Sequence, residues 1–215
     1  MIYAIIYRST EGEVLCRGAG PRVWGYRSES RRSFFFRHRR WQEKSIMIEV
    51  YPNLFIGSWV DYEKFVAGQS GWAVVHACKE YHRITVGYKL WNAPRQHPEY
   101  LLARRENRLM LCLLDLPLSG FVKKEMIDQT LDFIDEAYNY GLKVLVHCMA
   151  GRSRSPSITM LYLATRLHVL PTESFEAAEK QFRCLYPRYS PNRGIREHLR
   201  RNWYVYCKDG LVDKK

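Results

Sequence analysis

One stretch of this 215-residue chain concentrates groups that could do chemistry together: residues 143–156, KVLVHCMAGRSRSP. An apolar strand should end at His147. Cys148 follows, then five residues, and then Arg154 and Ser155 open an apolar segment that reads as a buried helix. A loop joining a strand to a helix N-terminus can point successive backbone N–H groups inward, and the helix dipole adds positive potential at the same place. Gly151 lets the loop turn where a side chain would obstruct it. The guanidinium of Arg154 can fork two N–H donors onto two oxygens of a phosphate. A thiol at the rim of such a cradle should ionise well below the free value of about 8.5. A thiolate held against bound phosphate is a nucleophile poised for in-line attack at phosphorus.

Alternating strands and helices are expected to position these groups. Residues 48–51 and 54–56 read as a short strand pair around a Pro52-Asn53 turn, and 61–67 as a helix. Three apolar runs, 72–77, 109–114 and 143–147, read as buried strands, and 87–105, with Gly87, Pro94 and Pro98, as loop-rich. In 125–140 the residues Ile127, Leu131, Ile134 and Tyr138 repeat at helical spacing, and Gly141 suits the C-terminal cap. Residues 155–168 and 173–185 follow as helices, and Ile195, Leu199 and Trp203 share a face of a last one. The pattern predicts an α/β fold with a central, mainly parallel sheet flanked by helices. The domain is expected over 47–205, with a basic, poorly ordered N-terminal extension over 1–46 and a C-terminal tail over 206–215.

The segment His147-Cys148-Met149-Ala150-Gly151-Arg152-Ser153-Arg154-Ser155 matches HCxxGxxRS, the signature of the cysteine-dependent protein tyrosine phosphatase superfamily. The surrounding sequence resembles its small dual-specificity branch over roughly residues 48–205. The likeness takes in YPNLFIGS near the start, LDFIDEA before the loop and Tyr189-Ser190-Pro191-Asn192 near the end. It implies a cysteine-phosphatase type fold and hydrolysis of phosphotyrosine, with phosphoserine and phosphothreonine, through a phosphocysteine intermediate. It also implies a general acid about thirty residues upstream of the cysteine. Asp115, directly after LMLCLL, fits that place better than Asp128, Asp132 or Asp135 within the expected helix. By the same resemblance Ser155 would hydrogen-bond the cysteine sulfur and help it leave. Residues 149–153 would bind phosphate through backbone N–H groups, with Arg154, and His147 would hydrogen-bond nearby backbone and orient the loop. Cys78, at a strand end, stands where some relatives keep a resolving cysteine, making a reversible Cys78–Cys148 disulfide a hypothesis. No cofactor and no metal are implied. His76, Cys78 and His82 in HACKEYH could suggest a metal site, but no further ligand pair supports them.

Net charge is +12, from 34 basic and 22 acidic residues, which favours anionic partners without choosing among them. The expected partner is a phosphorylated protein. A lipid or RNA 5′-phosphate is the alternative substrate, and acidic lipid or nucleic acid could meet the basic surface. Arg152 is similar to the lipid-directed relatives, but Met149 stands where those usually carry Lys. Ser153-Arg154-Ser155 differs from the Asn-Arg-Thr of RNA-directed ones. A non-catalytic phosphate-binding module is a further reading, against which the retained Cys148, Arg154 and Asp115 speak. Residues 1–46 hold ten basic and four acidic residues. They read as a tail, as an arginine-rich arm, or as an upstream translation preceding a natural start at Met47, while Glu11, Glu13 and Glu29 argue against a mitochondrial presequence. Six cysteines without regular spacing suit reduced thiols, and no secretory signal or membrane-spanning run is read, so a cytoplasmic location is expected.

Overall fold

The computed structural model describes residues 47–89 and 93–212. The extension expected over 1–46 lies outside the described residues. Six strands form one sheet: β1 (Ile48–Tyr51), β2 (Leu54–Ser58), β3 (Trp72–His76), β4 (Leu102–Arg105), β5 (Arg108–Leu111) and β6 (Lys143–Cys148). Their spatial order is β1-β2-β6-β3-β5-β4. β2, β6, β3 and β5 run parallel, and β1 and β4 close the edges antiparallel. The expected parallel centre is therefore present, within a mixed sheet. β4 falls in the stretch expected to be loop-rich. It follows Pro94 and Pro98, and a tight turn at Glu106, with φ 48°, folds it back onto β5.

Helices cover both faces: α1 (Trp59–Phe65), α2 (Lys79–Val86), α3 (Lys124–Asn139), α4 (Arg154–Thr165), α5 (Phe175–Leu185) and α6 (Arg193–Val212). Alternation along β6 sorts its side chains. Val144, Val146 and Cys148 join the main core with α3–α6, whereas Leu145 faces the smaller cluster of Tyr62, Val66 and Val74. α4 is buried all round, as its apolar sequence requires, and lies against β6 and α6. Cys148 ends the central strand β6, at the carboxyl edge of the parallel sheet, where open α/β folds form their crevices. Among the described residues, no helix is long and apolar enough to cross a membrane.

The C-terminal tail expected over 206–215 begins inside α6, which runs to Val212. The stripe Ile195, Leu199, Trp203 continues at helical spacing to Tyr206, 2% exposed, whose hydroxyl lies 2.8 Å from Nε2 of His198. Removing that ring leaves a cavity and an unpaired imidazole nitrogen. Tyr206→Ala should lower unfolding free energy by about 3 kcal/mol, read from the midpoint of a urea transition. A change under about 0.5 kcal/mol would mean that this turn contributes no packing.

Candidate active site

The thiol of Cys148 is 1% exposed. Burial by itself would raise its pKa. The Arg154 guanidinium, the Ser155 hydroxyl and the backbone N–H groups of Ser155 and Gly151 overcome that and hold it below the usual thiol value. Oγ of Ser155 donates to the sulfur across 3.3 Å. Arg154, 5% exposed, is anchored at its far side, where Nη1 donates to the Leu113 carbonyl at 2.9 Å, and its Nε lies 3.6 Å from Oδ2 of Asp115. One cation thus faces both the sulfur and a carboxylate.

The loop between them is held open from outside. Gly151 has φ 65°, and a Cβ there would come within 2.8 Å of the Gly57 carbonyl oxygen, so the position combines a left-handed backbone with close approach to β2. The Tyr186 hydroxyl donates to the Gly151 carbonyl at 2.6 Å, and Ser190 N–H donates to the Arg152 carbonyl at 2.8 Å. With these carbonyls engaged outward, inward N–H groups are left for an anion. Behind β2, Ser58 N–H and Oγ both donate to Oδ2 of the buried Asp61 at 2.6 Å, which fixes the strand end opposite Cys148. Met149 is half-buried, and Ala150 and Arg152 are exposed at the rim.

Asp115 is 34% exposed at its side chain and sits beside this cradle. Ser153 Oγ donates to its Oδ1 at 2.8 Å, Asn192 Nδ2 donates to its carbonyl at 3.0 Å, and Asn192 N–H donates to Ser153 Oγ at 2.9 Å. The loop, the acid-bearing segment and the start of α6 are therefore tied by one short network. The chain brings together Cys148, Arg154, Ser155 and residues 149–153 of the motif with Asp115, the residue singled out through the family resemblance. Sequence reasoning missed the roles of Ser153, Tyr186 and Asp61 in this framework. Asn192 lay within a segment already quoted, and no signal in the sequence showed that it reaches Asp115.

His147 meets the Cys148 backbone, as expected, and adds a contact that was not expected. Its Nε2 lies 2.6 Å from Nδ1 of His76, because the two residues lie opposite each other on β6 and β3. The metal reading of HACKEYH does not assemble. His82 turns its ring nitrogens to the Tyr88 hydroxyl (3.1 Å) and the Glu99 carbonyl (2.8 Å). Among the described residues no group of three or more His, Cys, Asp or Glu side chains could hold a metal ion. Cys78 is fully buried, and burial, against the pull of Arg154, pushes its thiol far up. Its neighbour Ala77 donates to the His147 carbonyl at 2.8 Å, so the two cysteines follow adjacent, hydrogen-bonded chain positions.

Gly151→Ala tests the cradle's geometry. It should destabilise the fold by about 1–3 kcal/mol in urea unfolding and weaken protection by inorganic phosphate against thiol alkylation. Unchanged stability and unchanged protection would show that the loop tolerates a Cβ.

Residues 70–204, more than half of the chain, match the family model for the dual specificity phosphatase catalytic domain. Human dual specificity protein phosphatase 9 is 34% identical over 62 residues, 29% of this chain and 16% of that protein. Dual specificity protein phosphatase 5 of Rattus norvegicus is 45% identical over 71 residues, 33% of this chain and 17% of that protein. The matched stretch is thus about a sixth of each relative's length. The solved structure of human tyrosine phosphatase-like serine/threonine/tyrosine-interacting protein superposes with a TM-score of 0.54 at 23% identity, covering 74% of this chain and 97% of that one, a likeness of fold. The motif at Cys148, the sheet that carries it and the family match agree: the chain belongs to the dual specificity phosphatase family.

Proposed function

We propose that the chain is a protein phosphatase that hydrolyses phosphotyrosine and, in a site open enough for it, phosphoserine and phosphothreonine. The observation that carries this reading is the buried Cys148 thiol, held below its usual pKa beside Arg154, with Asp115 tied to the same loop. A phosphate monoester would enter the cradle with its oxygens on the inward N–H groups of residues 149–153 and on Arg154. The thiolate attacks phosphorus, forming an S–P bond as the ester P–O bond breaks. Asp115 gives its proton to the departing oxygen, which a bare alkoxide could not match as a leaving group. The same carboxylate then takes a proton from water, whose oxygen attacks the phosphocysteine. Ser155 stabilises the thiolate as it leaves by its 3.3 Å hydrogen bond. His147 helps to orient the loop. The developing charge is met by Arg154 and backbone amides, so this scheme calls on no metal or cofactor.

The exposed Arg152 beside the cradle supports a second reading, in which the substrate is a lipid or RNA 5′-phosphate and acidic lipid or nucleic acid meets the basic surface. A panel of phosphopeptide, phosphoinositide and triphosphorylated RNA separates the two readings. Preference for phosphopeptide supports the first, and preference for either other substrate replaces it. A reduced-thiol compartment such as the cytoplasm suits a mechanism that needs a free Cys148.

Cys148→Ser should abolish turnover of a small aryl phosphate. Asp115→Asn should lower kcat by about 10²–10³-fold and flatten the alkaline limb of its pH profile, because the amide has no proton to give. Full activity in either variant contradicts the assignment. Hydrogen peroxide would convert the Cys148 thiolate to a sulfenic acid, and the Cys78 thiol would then displace water to close a disulfide. Peroxide inactivation should be reversed by dithiothreitol, and it should become irreversible in Cys78→Ala. Irreversible loss in the unaltered chain rules the pairing out.

A further inference from the structure

We propose that His76 is a positioning residue for the nucleophile: its Nδ1–H donates to Nε2 of His147, which places the remaining His147 proton on Nδ1, facing the backbone of Cys148. The proposal rests on the phosphatase reading above and deepens it.

The placement follows from the sheet. His76 and His147 are partners in the parallel register of β3 and β6. Alternation sends both side chains to the face covered by α1 and α2, opposite the face that carries Cys148. Both rings are buried, at 1% and 0% exposure, with 2.6 Å between Nδ1 of His76 and Nε2 of His147. Neither ring is free to swing. Tyr62 of α1 lies parallel to His147 with centroids 5.1 Å apart, and Tyr81 of α2 stacks on His76 at 4.3 Å. The Tyr81 hydroxyl is itself held by Glu63 at 2.8 Å.

A 2.6 Å contact between two neutral imidazoles needs one donor and one acceptor, so the pair has two arrangements. If His147 donates from Nε2, a bare lone pair is left on its Nδ1. If His76 donates, His147 carries its proton on Nδ1. That nitrogen is buried, makes no well-formed hydrogen bond, and has the Cys148 backbone as the group that favours a proton on the ring. With Nε2 set against His76, the buried Nδ1 is the nitrogen left for the Cys148 backbone, and a backbone group that favours the proton acts as an acceptor, which selects the second arrangement. An N–H directed at the Cys148 carbonyl holds that peptide so that the following N–H groups stay turned toward the sulfur.

The charges around the pair keep it neutral. Burial, with His147 and Arg108 of β5, lowers His76 to about 2, and burial, with Arg154 of α4, lowers His147 to about 3. The phenols of Tyr62 and Tyr81 are the titratable groups of α1 and α2 stacked on the rings, with Glu63 behind Tyr81. On the far side, the Cys148 thiol faces Arg154, which in turn faces Cys78, Asp115 and Glu80.

Two substitutions in the full chain separate positioning from packing. His76→Phe keeps a ring for Tyr81 to stack on and removes the donor. His76→Asn loses the ring but offers an amide N–H near the position of Nδ1. The readout is the rate of Cys148 alkylation by iodoacetamide as a function of pH. In His76→Phe the midpoint should rise by about half a unit, making alkylation about threefold slower on the acid side, and His76→Asn should restore the original midpoint. Unaltered midpoints in both variants, or a shift in His76→Asn alone, overturn the proposal. Nitrogen-15 spectra of the unaltered chain at about pH 5 give a test independent of either variant's folding. A single proton on Nδ1 of each ring is expected, and a protonated Nε2 on His147 overturns the assignment. If instead the unaltered thiol alkylates with the midpoint of free cysteine, it is the phosphatase reading that fails.

Discussion

The structure is organised around one unfavourable placement made favourable: a thiol biased toward its charged form while almost wholly removed from water. Burying an isolated charge costs several kcal/mol or more, and a buried thiol answers by keeping its proton. Cys78, on the adjacent strand end and equally buried, does just that. Cys148 does the opposite because a guanidinium, a hydroxyl and two amides converge on it. The contrast between two neighbouring cysteines isolates the cause. Depth alone would silence both, and only the groups around the loop between β6 and α4 pull one of them below the usual thiol value.

That convergence in turn constrains the rest of the molecule. The guanidinium must be buried to act strongly, and the segment after β5 supports it, the Leu113 carbonyl accepting from Nη1 and the Asp115 carboxylate standing 3.6 Å from Nε as an ion pair without a hydrogen bond. The loop must keep its carbonyls away from the anion, so residues 35 and 38 positions downstream reach back to take them, Tyr186 on Gly151 and Ser190 on Arg152. Asp115 stands beside the cradle yet partly open to solvent, with Ser153 on its carboxylate and Asn192 on its backbone carbonyl. Because these contacts join positions far apart in the chain, the site can exist only when the sheet and α6 are both in place.

How much of this could be read from the residues follows from the range of each interaction. The cradle was legible because its parts are consecutive: an apolar strand, Cys148, Gly151 with a positive φ, and Arg154 at a helix start. The parallel centre of the sheet was legible from runs such as VLV, which are buried on both faces. Asp115 was reached through family resemblance, not through any local pattern. The rest depended on register and on long-range closure. Nothing in HACKEYH reveals that His76 lies opposite His147 and that His82 turns toward Glu99. β4 was hidden because Leu102–Arg105 is a short edge strand after two prolines, with exposed arginines where an apolar run would have signalled it. α6 runs into the stretch expected as a tail because the packing of Tyr206 continues the stripe begun at Ile195.

The central claim is that the Cys148 sulfur is ionised at neutral pH, and the most direct test is to titrate its thiolate absorbance, taking the difference between the unaltered chain and Cys148→Ser. A single ionisation with a midpoint clearly below the free-cysteine value of about 8.5 is predicted. A midpoint at or above that value would contradict the account, because the amides and Arg154 would then not be acting on the sulfur.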